Sequence, residues 1–298
     1  MSHKVRSGII GLGNWGKKVA GELNAASDLV AFTSGTPSLH EMWLSAHLPK
    51  ARHTSLARLM EDETIQIIAI VTPIPLLSTF ARTAVNAGKH VFVEKPLARS
   101  SETASSLADL AERRGRILST GYVFLYHPVY LELKHRLNLT SIRTVTIEWR
   151  KYGSFTEPIE LSLLTHHLSL MLDLLGEPMS GTIHYGPGLY TDCDKIETQL
   201  RYPTLDVTSL IDRTSVQSTH RMTVETDGGS CLVWEDNLLS WIDENKKSIV
   251  IYDNKHPALA AEITGFVRAA TSENPELPTA GPFAARVLRL LEGLRQVK

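Results

Sequence analysis

A glycine-rich turn near the start of the chain constrains its fold more than any other feature of the sequence. The turn, Gly-Leu-Gly-Asn-Trp-Gly at residues 11–16, directly follows the apolar run Val5–Ile10 and precedes a stretch with helical spacing. In a strand–turn–helix unit, the first glycine permits a tight turn, the second lets the backbone approach a pyrophosphate, and the third lets helix and strand pack closely. The motif predicts a dinucleotide site formed by Gly11, Gly13, Asn14, Trp15 and Gly16.

The region from residue 5 to about residue 123 alternates short β-rich runs with helical stretches, which is typical of a parallel sheet covered on both faces. Apart from Gln66, the run Ile65–Val71 is apolar throughout, as in a central parallel strand. We therefore expect an α/β domain of the Rossmann type over residues 1–121. Its predicted strands are Val5–Ile10, Leu29–Thr33, Ile65–Val71, His90–Val93 and Arg116–Val123, and its predicted helices are Gly16–Ala26, Ser55–Glu61, Leu76–Asn86 and Ser100–Arg113.

The remainder, residues 122–298, is rich in strand-like segments and has few helices between them. Along residues 144–150, apolar Val145, Ile147 and Trp149 alternate with polar residues, so one face of this strand should be buried. We expect an α+β domain with an open, mainly antiparallel sheet and a hairpin at residues 227–229. Further predicted strands are Ile183–Tyr185, Val207–Asp212, Thr223–Thr226, Cys231–Trp234, Leu238–Ile242 and Ser248–Tyr252, and the predicted closing helices are Leu259–Ala270 and Pro282–Gln296.

Composition excludes several classes of function. The 298 residues contain 31 Lys plus Arg and 32 Asp plus Glu, without a basic tract for nucleic acid. The apolar runs have the length of strands and are too short to cross a bilayer, and the first residues do not resemble an export signal, so we expect a cytoplasmic protein. Cys193 and Cys231 form no Cys-x-x-Cys pair, which argues against a disulfide framework or a zinc site.

The end of the second predicted strand bears on cofactor choice. A site for NAD usually has an Asp or Glu about 20 residues after the glycine turn, where it binds the ribose hydroxyls. Residues 32–36 of this chain read Phe-Thr-Ser-Gly-Thr, with hydroxyl groups, including that of Ser34, and no carboxylate. The segment mildly favours NADP over NAD, although it contains no Arg.

The tripeptide Glu94-Lys95-Pro96 immediately follows a predicted strand, at the edge of the sheet where open α/β folds bind ligands. A lysine at this edge can hydrogen-bond a substrate oxygen and assist proton movement during hydride transfer. By itself such a tripeptide is common, and a surface lysine in a strand-to-helix turn is the alternative.

Taken in order, these motifs resemble those of the Gfo/Idh/MocA oxidoreductases. The resemblance includes Thr72-Pro73 and the segment from Gly121 to Pro128, in addition to the glycine turn and Glu94-Lys95-Pro96. It implies that the first domain binds NAD or NADP through residues that include Thr72, Pro73, Glu94 and Lys95. It also implies that the open sheet of the second domain carries the substrate face and the oligomer contacts.

The resemblance further implies a catalytic helix with a histidine, commonly in an Asp-x-x-x-His-x-x-Asp pattern. The best match is residues 161–176, with His166 at the histidine position and serines, Ser162 and Ser169, in place of the acids. A branch of the family often linked to sugar-nucleotide metabolism has Trp-Gly in the glycine turn and His-Asp-x-Ser on this helix. The chain is similar to that branch, although the branch usually retains the first Asp.

We therefore expect hydride transfer between a nicotinamide and a secondary alcohol or ketone of a sugar or sugar-nucleotide-like substrate. His166 would exchange the proton on the oxygen, because an imidazole titrates near neutrality, and Lys95 would orient and polarise that oxygen. Candidate substrate contacts are Tyr122, Tyr126, His127 and His167, for which aromatic core packing is the alternative role.

Two other functions remain open at this point. One is reduction of an imine or a biliverdin-like conjugated substrate, which would not need the missing acids. The other is a catalytically inactive NAD(P)-binding regulator. No metal site is predicted, since the adjacent His166 and His167 point to different sides of a helix. A homodimer or homotetramer through the C-terminal sheet is expected, on the reasoning that an open sheet with an apolar outer face must be covered.

Overall fold

The computed structural model of the chain describes residues 4–137, 142–152, 157–273 and 277–296. The chain forms two compact units, one of residues 1–123 and 259–288 and the other of residues 124–258 and 289–298. The first boundary lies two residues from the predicted one. The C-terminal segment differs from the prediction, because residues 259–288 join the first unit instead of the second. The physical reason is the apolar face of the helix over Ala258–Ala270, which is buried in the core of the first unit.

The first unit contains a six-stranded parallel sheet in the order β3-β2-β1-β4-β5-β6. The chain order reverses between β1 and β4, which is the topological switch point of a doubly wound sheet. The strands are β1 (Arg6–Ile10), β2 (Asp28–Thr33), β3 (Arg52–His53), β4 (Ile67–Ile70), β5 (His90–Glu94) and β6 (Leu118–Gly121). The helices are α1 (Asn14–Ala26), α2 (Glu41–His47), α3 (Leu56–Glu61), α4 (Ile74–Asn86) and α5 (Ser101–Arg113), with α8 (Ala258–Ala270) and the first part of α9 (Gly281–Gln296).

The predicted Rossmann-type arrangement is confirmed. All four residues of β4 are buried, in agreement with its uninterrupted apolar sequence. On one face of the sheet, a core cluster joins Ile9, Ile67 and Phe92 to residues of α1, α2 and α8. Two elements of this unit were not predicted. The helix α2 follows a short 3₁₀ helix at Pro37–His40, and β3 has only two residues, both exposed, so neither carries a strong hydrophobic pattern.

The second unit contains an eight-stranded sheet in the order β14-β13-β12-β11-β7-β10-β9-β8. Its neighbouring strands are antiparallel except for the parallel pair of β7 and β10. The strands are β7 (Ile142–Arg150), β8 (Ser180–Gly186), β9 (Lys195–Arg201), β10 (Asp206–Asp212), β11 (Thr219–Thr226), β12 (Cys231–Glu235), β13 (Leu238–Ile242) and β14 (Ser248–Asp253), and the helices are α6 (Pro128–Arg136) and α7 (Thr165–Leu175). The predicted mainly antiparallel sheet is thus confirmed.

The two faces of this sheet differ in polarity. Val145 and Ile147 of β7 are buried, and Trp149 packs against histidines of α7, as the alternating pattern predicts. The opposite face carries ion pairs within and between neighbouring strands, including Arg150 with Glu148 and Arg221 with Glu235. The openness of the sheet predicts an apolar outer face, and this prediction is wrong for the central strands, whose outer face carries these ion pairs.

Within the described ranges, helices of the length and apolar character needed for a membrane crossing were not found.

Candidate functional site

The glycine turn joins β1 to α1, and its three glycines have different steric roles. Gly11 has a φ of +96°, and a Cβ there would collide with the carbonyl of Val71. A Cβ on Gly16 would collide with the carbonyl oxygen of Gly11, so this glycine lets α1 start close to the turn. A Cβ on Gly13 would meet nothing within 4 Å, which leaves its backbone open to a ligand. These are the three roles that the motif predicts.

The first turn of α1 suits an anion. Gly13 is the N-cap residue and offers no side-chain cap, and no acidic residue lies in the first turn. The backbone N–H groups at a helix start point along the axis and, together with the helix dipole, attract phosphate. The residues present therefore fit the pyrophosphate of a dinucleotide. Among the other predicted cofactor contacts, Thr72 and Pro73 lead into α4, and the Thr72 hydroxyl is shielded from solvent without a hydrogen-bond partner in the described part of the chain.

Glu94, the last residue of β5, connects the glycine turn to the predicted catalytic lysine. The indole Nε1 of Trp15 donates a hydrogen bond to Glu94 Oε1 over 2.5 Å, and the Lys95 backbone N–H donates to Oε2 over 3.2 Å. A Cβ on Gly121 would lie 2.9 Å from Oε1, so this glycine leaves room for the carboxylate. Both oxygens accept from N–H donors, which favours the ionised carboxylate even though burial raises the pKa of Glu94. Lys95 itself is half-buried.

A second acid lies behind this carboxylate on α8. Phe266 of α8 contacts Phe92 of β5, with ring centroids 5.8 Å apart. Glu262 lies one helical turn before Phe266, on the same face of α8. Glu94 lies two residues after Phe92, on the same face of β5. The Glu262 side chain is fully buried, and neither of its oxygens has a hydrogen-bond partner among the described residues. Burial, and then the charge of Glu94, raise the pKa of Glu262 well above its usual range. A proton is therefore held more strongly by Glu262 than by Glu94, whose hydrogen-bond donors oppose the effect of burial.

At the end of β2, the polar turn is ordered by its own hydrogen bonds. The Thr33 hydroxyl donates to the carbonyl of Thr54, and the Thr36 N–H donates to the hydroxyl of Ser34. No carboxylate occurs between Thr33 and His40, as the sequence already shows.

In the second unit, His166 lies in the first turns of α7 and is 7% exposed. Its imidazole contacts Phe124 at 5.0 Å and Trp149 at 5.6 Å between ring centroids. Both serines that replace the family acids are bonded within their own helical segment: Ser169 donates to the carbonyl of His166, and Ser162 to that of Ile159.

His220 of β11 shares the aromatic neighbours of His166, and the sequence reasoning did not single it out. Its ring is stacked on Phe124 at 4.4 Å with an interplanar angle of 13°, and it also contacts Trp149 and Trp234. Burial, and next the charge of His127, lower the pKa of His220 to about 4, so its ring is neutral near pH 7. The available signal was the alternation of His220, Met222 and Val224 on one face, which places the histidine on the buried side of a strand that starts earlier than predicted.

The four predicted substrate contacts have different surroundings. Tyr122 is fully buried in the first unit and packs edge-on against Phe283. His167 is fully buried in the second unit and shares a 2.6 Å hydrogen bond with the Ser209 hydroxyl. His127 is half-buried and accepts the Val129 N–H at the start of α6, and Tyr126 is half-buried beside it in sequence. Packing roles are therefore evident for Tyr122 and His167, and their contact with a substrate stays a prediction.

Comparison with known proteins supports the dinucleotide-binding fold of the first unit. Residues 5–122 match the model of the GFO_IDH_MocA family, described as an oxidoreductase family with an NAD-binding Rossmann fold. UDP-N-acetylglucosamine 3-dehydrogenase of Acidithiobacillus ferrooxidans is 25% identical over 295 residues, which cover 91% of this chain and 90% of that protein. A dTDP-3,4-didehydro-2,6-dideoxy-alpha-D-glucose 3-reductase of Streptomyces violaceoruber is 36% identical over 88 residues, which span 29% of this chain and only 25% of the reductase.

Among solved structures, UDP-N-acetylglucosamine 3-dehydrogenase GnnA from Acidithiobacillus ferrooxidans matches with a TM-score of 0.86 at 23% identity. The match covers 100% of this chain and 98% of that one, so the likeness in fold extends over both units. The fold, a parallel sheet of the Rossmann type with a second, mainly antiparallel sheet, is shared with that structure, and the family model adds NAD-binding oxidoreductases as the class that residues 5–122 match. Over residues 5–122 this chain matches the Gfo/Idh/MocA oxidoreductase family, and a relative that aligns along most of its length is a sugar-nucleotide dehydrogenase.

Proposed function

We propose that the protein transfers a hydride between NADP(H), favoured over NAD(H), and a secondary alcohol or ketone of a sugar or sugar-nucleotide-like substrate. The observation that carries the proposal is the linked pair of motifs in the first unit. The glycine turn has the three steric properties that a pyrophosphate site requires, and Trp15 connects it through Glu94 to the backbone of Lys95. The names of the dehydrogenase and reductase relatives support a sugar-like substrate.

Lys95 and His166 are the proposed catalytic residues. The bound dinucleotide supplies or accepts the hydride, and the protein manages the proton on the substrate oxygen. In the direction of reduction, the Lys95 ammonium donates a hydrogen bond to the carbonyl oxygen and stabilises the charge that develops on it. His166 gives that oxygen its proton, and in oxidation it takes the proton back as a general base. The residues proposed to hold the cofactor are Gly11, Gly13, Asn14, Trp15, Gly16, Ser34, Thr72, Pro73 and Glu94.

The aromatic surroundings of His166 support a sugar as the substrate class. Phe124 and Trp149 contact His166, and His220 contacts both of these rings. A sugar offers apolar C–H faces between its hydroxyls that pack well against aromatic rings. The side chains with a polar group that are proposed to contact the substrate are Tyr126, His127 and the buried Tyr122 and His167.

Turnover measurements test this function. Purified protein is incubated with NADPH or NADH and a panel of keto-sugars and sugar nucleotides, and the cofactor absorbance is followed. We expect turnover with at least one substrate and a loss of more than about 100-fold in kcat for Lys95→Ala, within the usual range for acid–base and electrostatic groups. Equal rates for the wild type and Lys95→Ala would contradict the assignment of Lys95.

A cofactor-binding regulator without catalysis is the second candidate function, and one observation favours it. Ser162 and Ser169, which replace the family acids, are bonded to backbone carbonyls and leave His166 without a neighbouring carboxylate from those positions. Calorimetry separates the two functions: tight cofactor binding without turnover on the whole panel would favour the regulator.

The assembly and location of the protein belong to the same proposal. On the sequence resemblance, and not on an apolar outer face, we propose a cytoplasmic homodimer or homotetramer that associates through the sheet of the second unit. Light scattering at working concentration should give a mass of two or four times 33.0 kDa. A monomer would contradict the assembly.

A further inference from the structure

Lys17 of α1 is held at a particular position by an aromatic ring. Its Nζ lies 5.6 Å from the centroid of the Trp43 ring on α2, within the range of a cation–π contact. Trp43 packs against the core of the first unit and stacks on His47, so its ring is a fixed support. Lys17 is half-buried, which is unusual for a lysine in the first turns of a helix.

The same ammonium group acts on His40, at the end of the 3₁₀ helix that follows the polar turn. Burial, and next the positive charge of Lys17, lower the pKa of His40. The His40 ring is nine-tenths buried, and its Nδ1 has no hydrogen-bond partner among the described residues. The charge of Lys17 on α1 therefore acts on the end of the segment that follows β2, where an imidazole nitrogen lacks a hydrogen-bond partner among the described residues.

The segment at residues 33–40 offers hydrogen-bond donors and has no acidic side chain that would repel a phosphate. Residues 33–40 read Thr-Ser-Gly-Thr-Pro-Ser-Leu-His, with four hydroxyl groups and no acid. The edge strand β3 lies parallel to β2 and brings His53 beside Phe32, with ring centroids 5.4 Å apart. In a doubly wound dinucleotide fold, the adenosine ribose binds at the end of this second strand. The turn itself lacks a cation for a 2′-phosphate, and the Lys17 ammonium lies over Trp43, three residues after the end of this segment.

We propose that Lys17 is the specificity-determining residue for the cofactor and binds the 2′-phosphate of NADP(H), with Trp43 as its support. This inference rests on the proposed function. Lysine binds phosphate as a compact point charge, and a support that restricts its flexible stem reduces the entropy lost on binding. Hydroxyl groups of Ser34 and Thr36 would complete the phosphate site.

The chain contains a matched control. Lys18 is the next residue of the same helix, and its Nζ lies 5.4 Å from the centroid of the Trp15 ring, so it too is a lysine over an indole. Lys18 is exposed, and its aromatic neighbour Trp15 belongs to the glycine turn. The aromatic neighbour of Lys17, in contrast, lies on α2. Lys17→Gln and Lys18→Gln thus make the same change in charge on neighbouring positions with different surroundings.

Calorimetric titration of the full-length protein with NADPH, NADH and adenosine 2′,5′-bisphosphate tests the inference without any turnover. For Lys17→Gln we expect Kd to rise about tenfold or more for NADPH and the bisphosphate, typical for loss of a charged hydrogen bond, and to change less than about twofold for NADH. Lys17→Arg should restore most of the NADPH affinity. Lys18→Gln should change the affinities for NADPH and NADH by the same factor.

Each other outcome has a definite meaning. If Lys17→Gln weakens NADPH and NADH equally, or weakens neither, Lys17 is not the specificity residue, whereas the proposed dinucleotide site stands. Tighter binding of NADH than NADPH by the wild type also overturns the inference and leaves that site in place. If the wild type binds neither dinucleotide, the proposed function fails as well. Thermal unfolding of each variant shows whether a lost affinity reflects a lost fold.

Discussion

Two buried acids of the first unit differ in the hydrogen-bond donors that surround them. Glu94 accepts hydrogen bonds from the Trp15 indole and the Lys95 N–H, and these donors stabilise its carboxylate. Glu262 has no such donor among the described residues, so burial keeps its proton in place. The carboxylate form is thereby more favoured at the end of β5, beside the proposed catalytic lysine, than on the helix behind it.

A prediction on stability follows from Glu262. Its pKa is raised in the folded state above the unfolded value, so the folded protein retains a proton that the unfolded chain loses as the pH rises above about 4.5. This group therefore lowers the free energy of unfolding progressively with rising pH. Glu262→Gln, which cannot ionise, should gain stability relative to the wild type between pH 5 and pH 8, as measured by chemical denaturation.

The control is Glu112→Gln on α5, where the residue is exposed. Its stability difference from the wild type should be nearly the same at both pH values. If the Glu262→Gln difference also stays constant with pH, Glu262 is ionised in the folded protein, contrary to this prediction.

At the scale of elements, the packing of α1 on β1 depends on the absence of one methyl group. Gly16→Ala would push a Cβ into the carbonyl oxygen of Gly11. We expect a loss of about 1–3 kcal/mol in the free energy of unfolding, typical of overpacking, together with loss of dinucleotide binding. Chemical denaturation and calorimetry measure the two effects.

Gly21→Ala in the same helix is the matched control, because a Cβ at Gly21 meets nothing within 4 Å. Alanine is the better helix former, so this variant should gain about 0.5–1 kcal/mol and bind the dinucleotide as the wild type does. Similar losses in both variants would show that helix α1 tolerates no substitution, and that contact with Gly11 is not the cause.

The bond between Trp15 and Glu94 ties the start of α1 to the end of β5. Trp15→Phe keeps an aromatic ring and removes the indole N–H, so we expect the free energy of unfolding to fall by about 1 kcal/mol. A double-mutant cycle with Glu94→Leu should show that the two losses are not additive, since each removes the same hydrogen bond. Strictly additive losses would mean that the bond contributes nothing to stability.

At the scale of the whole molecule, buried neutral histidines in both units predict acid sensitivity. Burial is the leading cause that lowers the pKa to about 4 for His90 in the first unit and for His127 and His220 in the second. Between about pH 6.5 and pH 4 the unfolded chain binds protons that the folded protein does not, so stability falls as the pH drops through this range. Denaturation midpoints measured from pH 7.5 to pH 4.5 should decrease accordingly.

His220→Phe tests the contribution of the second unit. A phenyl ring can keep the stack on Phe124, and it cannot be protonated. The decrease in midpoint with acidification should be smaller in this variant than in the wild type. An unchanged decrease would show that His220 takes up its proton in the folded protein as easily as in the unfolded one.

The sequence alone determined the fold class, the glycine turn, and the position of Lys95 at a strand end. These features depend on residues that are near neighbours in the chain: an apolar run, a turn with three glycines, and a strand followed directly by its tripeptide. The alternation in β7 and the Asp-Gly-Gly hairpin were predictable for the same reason, and Gly229 indeed closes that turn with a φ of +76°.

Only the tertiary structure decided the rest. Helix α8 joins the first unit because Ile263 and Phe266 find their apolar partners there, more than 150 residues earlier in the chain. Glu262 faces Glu94, His220 stacks on Phe124, and Lys17 reaches Trp43 through the same kind of packing between distant segments. Sequence periodicity states which face of an element is buried, but not which partner covers it, because burial of apolar surface is favourable against any complementary face.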